Sequence, residues 1–292
     1  MMNLLMMNPL NYVRAALTFR GGLAADATIP RIETKIPPQI VSERTLNALC
    51  RLTRYPSAGY LPITFPFIYA FPTHLANMLD PRFPFSLMGT VHVRTEIHQI
   101  RPISAGAAIA ATCSIEGHRD TDKGAEFDLC TDISVGDECV WRGRATMLRR
   151  SSHHLDHGLP THAARPPLDG VGAHSEQWRL ESGLSRKFAL TTGDINPIHL
   201  TALTARVFGF KGAIVHGSWV EMRLAGTEPD LCHESNIAFE CTFKQPITLP
   251  ATVVYRRWPS LKRAGQVELR LLNRTADKPH AIATIGPKEI TA

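Results

Sequence analysis

Two stretches of the chain, residues 69–79 and 218–225, read as helices, and each precedes a long β-rich run, 88–100 and 237–243. Shorter runs of strand length follow in both places. In the first half they cover 107–115, 127–134 and 139–147; in the second, 251–258, 266–272 and 280–285. Their β-branched content and turn-bounded lengths predict strands. The turns between them are legible as Glu116-Gly117, Asp122-Lys123-Gly124, Val135-Gly136-Asp137 and residues 273–278, all rich in the residues that break regular structure. A helix followed by an antiparallel run of strands, twice over, points to an α+β fold with a sheet wrapped on a helix. No G-x-G-x-x-G follows a strand and no Walker-type loop is present, so a nucleotide-binding reading has no support.

The two halves echo each other at an offset of 144 residues. Arg101-Pro102-Ile103-Ser104-Ala105-Gly106-Ala107 matches Gln245-Pro246-Ile247-Thr248-Leu249-Pro250-Ala251, Met78 meets Met222 and Ala70 meets Ile214, with no gap between these points. A period this long indicates two copies of a domain and not a solenoid. The expected division is a first half over 1–150, a linker over 151–174 and a second half over 175–292. The linker carries Pro160, Pro166 and Pro167 together with His153, His154, His157, His162 and Asp156. A Pro/Gly-rich segment lacks the rigid support that metal ligands need, so the histidines read as solvated and no metal is expected.

Composition narrows the function classes. Hydrophobic residues make up 44% of the 292 and charged residues 20%, enough apolar material for a sizeable core. The net charge of +6 is spread along the chain without a dense basic run. That argues against nucleic acid and suits a phosphate-bearing ligand or an acidic carrier protein. Cys50, Cys113, Cys130, Cys139, Cys232 and Cys241 form no C-x-x-C pair, and read as reduced thiols of a cytoplasmic protein. No apolar run approaches the ~20 residues of a membrane helix. Residues 1–22 are apolar, contain Arg14 and Arg20, and precede the first acidic residue, Asp26. They read as an amphipathic helix docked on the body, the alternative being an organellar (mitochondrial) targeting segment.

The chemistry concentrates in residues 188–217. Gly193 is a plausible helix stop, leaving Asp194 in irregular backbone where a side chain can project into a cavity. Pro197 fixes φ and holds Asn196 extended or in a turn, and Asn196 can tie down nearby backbone. His199 emerges just beyond the proline as the next helix begins. An isolated D-x-N-P is also what an ordinary helix-capping turn looks like. Ile214-Val215-His216-Gly217 adds a second element: an apolar strand end, then a glycine opening a helix. Free amides at a helix N-terminus bind anions. A carboxylate, an imidazole and a backbone oxyanion site suit proton removal beside a thioester carbonyl.

The run Phe188-Ala189-Leu190-Thr191-Thr192-Gly193-Asp194-Ile195-Asn196-Pro197-Ile198-His199-Leu200, then Phe208-Gly209-Phe210, then Ile214-Val215-His216-Gly217, resembles the hydratase motif of MaoC-like dehydratases. These are the (R)-specific enoyl-CoA hydratases and 3-hydroxyacyl-thioester dehydratases. The resemblance covers about the last 120 residues closely, through Phe243-Lys244-Gln245-Pro246-Ile247, and the first half as a degenerate copy. It implies a double hotdog fold, in which each half wraps a sheet around a central helix. It implies Asp194 and His199 as the catalytic dyad, Gly217 as the oxyanion-hole amide and Asn196 as the residue ordering the loop. His216, Phe210 and Phe71 would join Asn196 as substrate contacts, and no cofactor is implied.

At the repeat offset Pro72-Thr73 stands where the second half has His216-Gly217, so the first half is expected to be structural and reshaped for an acyl tail. Phe65, Phe67, Phe71, Met78 and Leu79 would then either line a tunnel or form plain core. Close single-hotdog relatives carry a serine eight residues after the glycine, where this chain has Ala225. The implied reaction is reversible hydration of trans-2-enoyl thioesters to (R)-3-hydroxyacyl thioesters. The thiol carrier would be CoA or acyl carrier protein, and the protein a monomer or homodimer. A thioesterase on the same fold and a non-catalytic acyl-thioester-binding subunit are the alternatives.

Overall fold

The strands of the two halves join edge to edge in one antiparallel sheet of ten strands. In the computed structural model the described residues are 27–150 and 167–289 without Ser57 and Met88, together with Thr18, Arg20, Gly22 and Leu23. The body of the segment expected as a helix over 1–22, and the five linker residues His153, His154, Asp156, His157 and His162, lie outside them.

The first half contributes β1 (Ile32–Ile40), α1 (Glu43–Thr53), α2 (Phe65–Leu79), β2 (Thr90–Gln99), β3 (Ala108–Thr121), β4 (Gly124–Val135) and β5 (Glu138–Arg150). The second contributes β6 (His174–Leu180), the helices α3 (Leu184–Thr192), α4 (Pro197–Leu200), α5 (Ala202–Val207), α6 (Gly217–Ala225) and α7 (Pro229–Cys232), then β7 (Ile237–Phe243), β8 (Ala251–Pro259), β9 (Val267–Leu272) and β10 (Pro279–Pro287). The sheet order β1-β3-β4-β5-β2-β7-β10-β9-β8-β6 repeats one pattern on either side of the β2–β7 seam, where Arg94 pairs with Thr242 and Gln99 with Ile237. This is the α+β double hotdog, with α2 and α6 as the wrapped helices.

The core follows the alternation of the strands. Ile97, Ile109, Ile133 and Val140 from the first half and Phe239, Val253, Leu269 and Ile285 from the second are buried against Phe65, Ile68, Trp219 and Met222 of the two central helices. A separate cluster closes the far end of α2, where Leu75, Met78, Leu79, Phe83, Phe85 and Phe127 pack together. Phe65, Met78 and Leu79 are therefore core; only Phe67 and Phe71, of the residues expected along a tunnel, keep half-open surfaces.

The ungapped repeat needs correcting at the helices. Leu61 N–H donates to Ile103 O and Val215 N–H to Ile247 O, and Tyr60 bridges Ser104 as Ile214 bridges Thr248. The strand ends thus keep the 144-residue offset, but the approach to α2 lies ten residues earlier than that offset demands. Ala70 does not match Ile214, and Pro72 sits inside α2. The position matching His216-Gly217 is Pro62-Ile63, not Pro72-Thr73. The longer first-half helix, 15 residues against nine, supplies most of that displacement, and the segments flanking it supply the rest. The consequence for that half is unchanged: a proline and a β-branched residue replace the His-Gly pair.

The end of the expected linker is also not loose chain. Pro167 O accepts from Arg270 Nε at 3.0 Å, Asp169 pairs with Arg256 at 3.1 Å, Gly170 lies against the Trp258 indole, and His174 begins β6. This strap satisfies part of the buried Arg270 guanidinium, whose other partners are Glu268 and the Leu269 and Ala283 carbonyls.

Candidate active site

Gly193 ends α3 in the left-handed region, φ 79°, and its N–H donates to Ala189 O. Glycine takes that conformation without a Cβ penalty. Three side-chain bonds then wind the turn: Asp194 N–H to Thr192 Oγ1 at 3.2 Å, Asn196 N–H to Asp194 Oδ1 at 3.3 Å, and Ile198 N–H to Asn196 Oδ1 at 3.3 Å. Each short polar side chain holds the amide two residues on, which is how such residues compete with regular structure. Pro197 opens α4, where its missing N–H costs nothing. Thr204 Oγ1 donates to Pro197 O at 2.6 Å and pins α4 to α5. The carboxylate and His199 are thus presented by one stiff turn.

The imidazoles come next. His199 Nδ1 lies 2.8 Å from Ile214 O, and Ser185 Oγ donates to the same carbonyl at 3.0 Å. A carbonyl only accepts, so Nδ1 carries the hydrogen and Nε2 the lone pair. The His216 ring stacks on His199 with centroids 3.7 Å apart and rests on Phe188 at 5.0 Å. His216 Nε2 donates to Asp194 O at 3.1 Å and stands 3.8 Å from Asp194 Oδ2. Nitrogen or oxygen atoms of Asp194, His199 and His216 all lie within 4.8 Å of one another.

Burial holds the pKa of His199 below the usual imidazole range, against the pull of Asp194. Burial and then His199 push His216 down to about 3. Both rings are neutral at pH 7. The trio has the size of a metal site, with His199 Nδ1 and His216 Nε2 spending their hydrogens on carbonyls and the other nitrogen of each ring keeping its lone pair.

Gly217 is the first residue of α6, behind His216 as N-cap. The first amides of a helix have no partner inside it and carry positive partial charge. A Cβ on Gly217 would stand 3.1 Å from Phe243 Cζ and 3.5 Å from His92 Nδ1, so the bare glycine keeps a narrow approach open. The helix rise of about 1.5 Å per residue puts Ala225 roughly 12 Å from Gly217, and it is fully buried in the core.

The structure therefore brings Asp194, Asn196, His199, His216 and Gly217 together. His216 differs from the expectation in one respect: it is 1% exposed, so its ring supports the dyad from behind. Phe71 and Phe210 stand apart. Both are half-buried, Phe210 in the loop from α5 to Ile214, and neither makes a ring contact with His199 or His216.

Sequence reasoning missed two groups. The first is Ser185 of α3, which lies ahead of the motif and bonds the Ile214 carbonyl beside His199; Phe188, quoted in the motif without a role, supports the His216 ring. The second group is a chain of polar contacts at the β2–β7 seam. Glu221, one turn after Gly217, is buried and accepts a short hydrogen bond from Thr95 Oγ1; Thr95 Oγ1 lies 2.9 Å from His92 Nε2. A glutamate inside Trp219-Val220-Glu221-Met222 was the available signal.

Burial raises the Glu221 pKa to about 8 and lowers those of His74 and His92 to about 3 and 4. These two histidines bind fewer protons folded than unfolded below pH 6.5, so stability falls on acidification from there. Glu221 binds more protons folded than unfolded from pH 4.5 to 8, so its contribution is lost as pH rises through that window. Chemical unfolding is expected to show lower stability at pH 5 than at 6.5, and a loss between 6.5 and 8 that Glu221→Gln abolishes.

The MaoC like domain family matches residues 173–274, the segment that carries the whole turn, both imidazoles and Gly217. This part of the chain is a MaoC-like domain. The full chain is similar to 3-hydroxyacyl-thioester dehydratase X of Mycobacterium tuberculosis, with 28% identity over 281 residues, 94% of this chain and 96% of that one. The crystal structure of that HtdX protein superposes with a TM-score of 0.72 and 26% identity, covering 87% of this chain and 99% of the other. A MaoC-like dehydratase from Phytophthora capsici shares the fold at 14% identity, TM-score 0.71, over 91% and 98% of the two chains. These likenesses extend through both halves, so the MaoC-like domain and its partner half form one architecture. No helix among the described residues is long and apolar enough to cross a membrane.

Proposed function

We propose that the protein is a hydro-lyase that adds water reversibly to trans-2-enoyl thioesters, giving (R)-3-hydroxyacyl thioesters, in fatty acid or related acyl metabolism. The observation that carries this reading is a neutral His199, its Nε2 lone pair set by the Ile214 carbonyl, with a ring nitrogen within 4.8 Å of the Asp194 carboxylate near the amide end of α6. The thioester oxygen binds at the Gly217 N–H, which stabilises the enolate as charge moves onto it; donors of this kind are worth about 10²–10³ in rate. Asp194 and His199 grip the water between them. Its oxygen bonds to C3 while one proton is delivered to C2 on the same face, and in dehydration both movements reverse. His216 holds Asp194 by its carbonyl and His199 by stacking, and Asn196 fixes the turn.

The first half has Pro62-Ile63 where His216-Gly217 stand in the second, so the chain carries one active site. Phe71 and Phe210, both half-buried, are the side chains assigned to the acyl tail in this reading. CoA and acyl carrier protein both present the same phosphopantetheine thioester. The donor set needs neither cofactor nor metal. All six cysteines are free thiols, in keeping with a cytoplasmic monomer or homodimer.

The test is a chain-length series of trans-2-enoyl-CoAs, followed by loss of enoyl absorbance and chiral analysis of the product. The expected product is the (R)-3-hydroxyacyl-CoA, at a rate unaffected by EDTA. An (S) product, release of free CoA thiol, or tight binding without turnover would each reject the reading.

A further inference from the structure

The polar chain at the β2–β7 seam does not belong to the dyad, and it points at the same glycine. His92 stands on β2, in the half that lacks the motif. Its Nε2 lies 3.1 Å from Arg94 O and 2.9 Å from Thr95 Oγ1. The Arg94 carbonyl can only accept, so Nε2 carries the hydrogen and Nδ1 the lone pair. Thr95 then turns its own hydrogen to the Glu221 carboxyl. Phe243 packs on the His92 ring at 5.0 Å. The ring is thereby fixed in tautomer and orientation, and Nδ1 faces the start of α6, 3.5 Å from where a Gly217 Cβ would be. No protein group among the described residues bonds that nitrogen, and His92 is only partly buried. Burial keeps the ring neutral at pH 7, with its pKa lowered to about 4.

An acceptor beside an oxyanion site cannot serve the thioester oxygen, which also accepts. An enoyl thioester of phosphopantetheine carries one donor near its carbonyl, the amide N–H two methylenes beyond the sulfur. We propose that His92 Nδ1 accepts a hydrogen bond from this amide, so that the N-terminal half reads the thiol arm of a substrate whose chemistry is done by the C-terminal half. Thr95 and Glu221 are positioning residues for His92. The proposal rests on the hydratase reading and adds to it the residue that selects the pantetheine arm.

The experiment compares two crotonyl thioesters on the full-length protein: the N-acetylcysteamine ester, which keeps the amide, and the propanethiol ester, which lacks it. The wild type is expected to favour the amide-bearing ester in kcat/KM. His92→Phe keeps the packing on Phe243 and is expected to shrink that preference about tenfold, the scale of one hydrogen bond. His92→Asn places its Oδ1 where Nδ1 stands and is expected to retain the preference, which also covers the case of a His92→Phe protein that does not fold. A wild type indifferent to the amide, an undiminished preference in His92→Phe, or equal loss on both esters in the two variants would overturn the proposal; equal loss would place His92 on the water instead. Hydration of crotonyl-CoA by the wild type is the separate control, because its absence would reject the hydratase reading and not this contact alone.

Discussion

Asp194→Asn and His199→Gln are each expected to lower the rate of crotonyl-CoA hydration by about 10³-fold, within the range for positioned acid–base groups. The reason lies in what each substitution leaves behind. Asparagine at 194 keeps an oxygen to accept the Asn196 amide, 3.3 Å away in the wild type, but it cannot take or give a proton. Glutamine at 199 places its amide at the Nε2 position but offers no basic nitrogen there and does not reproduce the Nδ1 donor to Ile214 O. Folding is expected to survive, since the turn bonds and the packing of Phe188 on His216 remain. The check is steady-state kinetics beside thermal unfolding of the same preparations. The two losses should not add in the double variant, because the groups hold one water as a unit. Near-normal rates in both single variants would remove the mechanism.

Gly217→Val is the second large effect, expected to cut kcat by about 10²-fold or more, the cost of losing an oxyanion donor. A Cβ there already meets Phe243 Cζ at 3.1 Å and His92 Nδ1 at 3.5 Å. The two methyl groups of valine must occupy the space through which a thioester oxygen reaches the amide. Gly217→Ala, with one carbon at the limit of contact, should fall between valine and wild type. The graded series separates blocked access from general unfolding, which thermal midpoints report independently. A valine variant with wild-type kcat would show that the oxyanion is bound elsewhere.

Much of the fold was legible because the strands alternate over the core and most turns are marked by glycine and charged residues; Glu116-Gly117, expected as a turn, is instead a bulge inside β3, where the strand continues to Thr121. The run 237–243 coincides with β7, and Gly193 ends α3 as expected. Two strands escaped because they lie at the sheet edges. β1 contains Pro37-Pro38 and is bulged between Ile36 and Gln39, a pattern that in a central strand would argue against pairing and at an edge is tolerated. β6 is polar but for Trp178 and Leu180, since only one of its faces meets the core. In α2 the start was placed late, because Pro66 sits at the first turn and Pro72 lies within the helix.

The sequence by itself determined the turn that carries the dyad. The side-chain bonds that wind it run from Thr192, Asp194 and Asn196 to amides two residues on, with Gly193 and Pro197 setting the backbone; His216 adds a bond to Asp194 O from 22 residues away. The sequence also determined the repeat, because the strand ends preserve their spacing. Only the tertiary structure decided the electrostatics. The neutral state of His199 depends on burial and on the Ile214 carbonyl 15 residues away. The ring behind it and the approach of His92 from the other half depend on which surfaces the fold brings into contact around the β2–β7 seam. Those are contacts between distant residues, and no spacing along the chain encodes them.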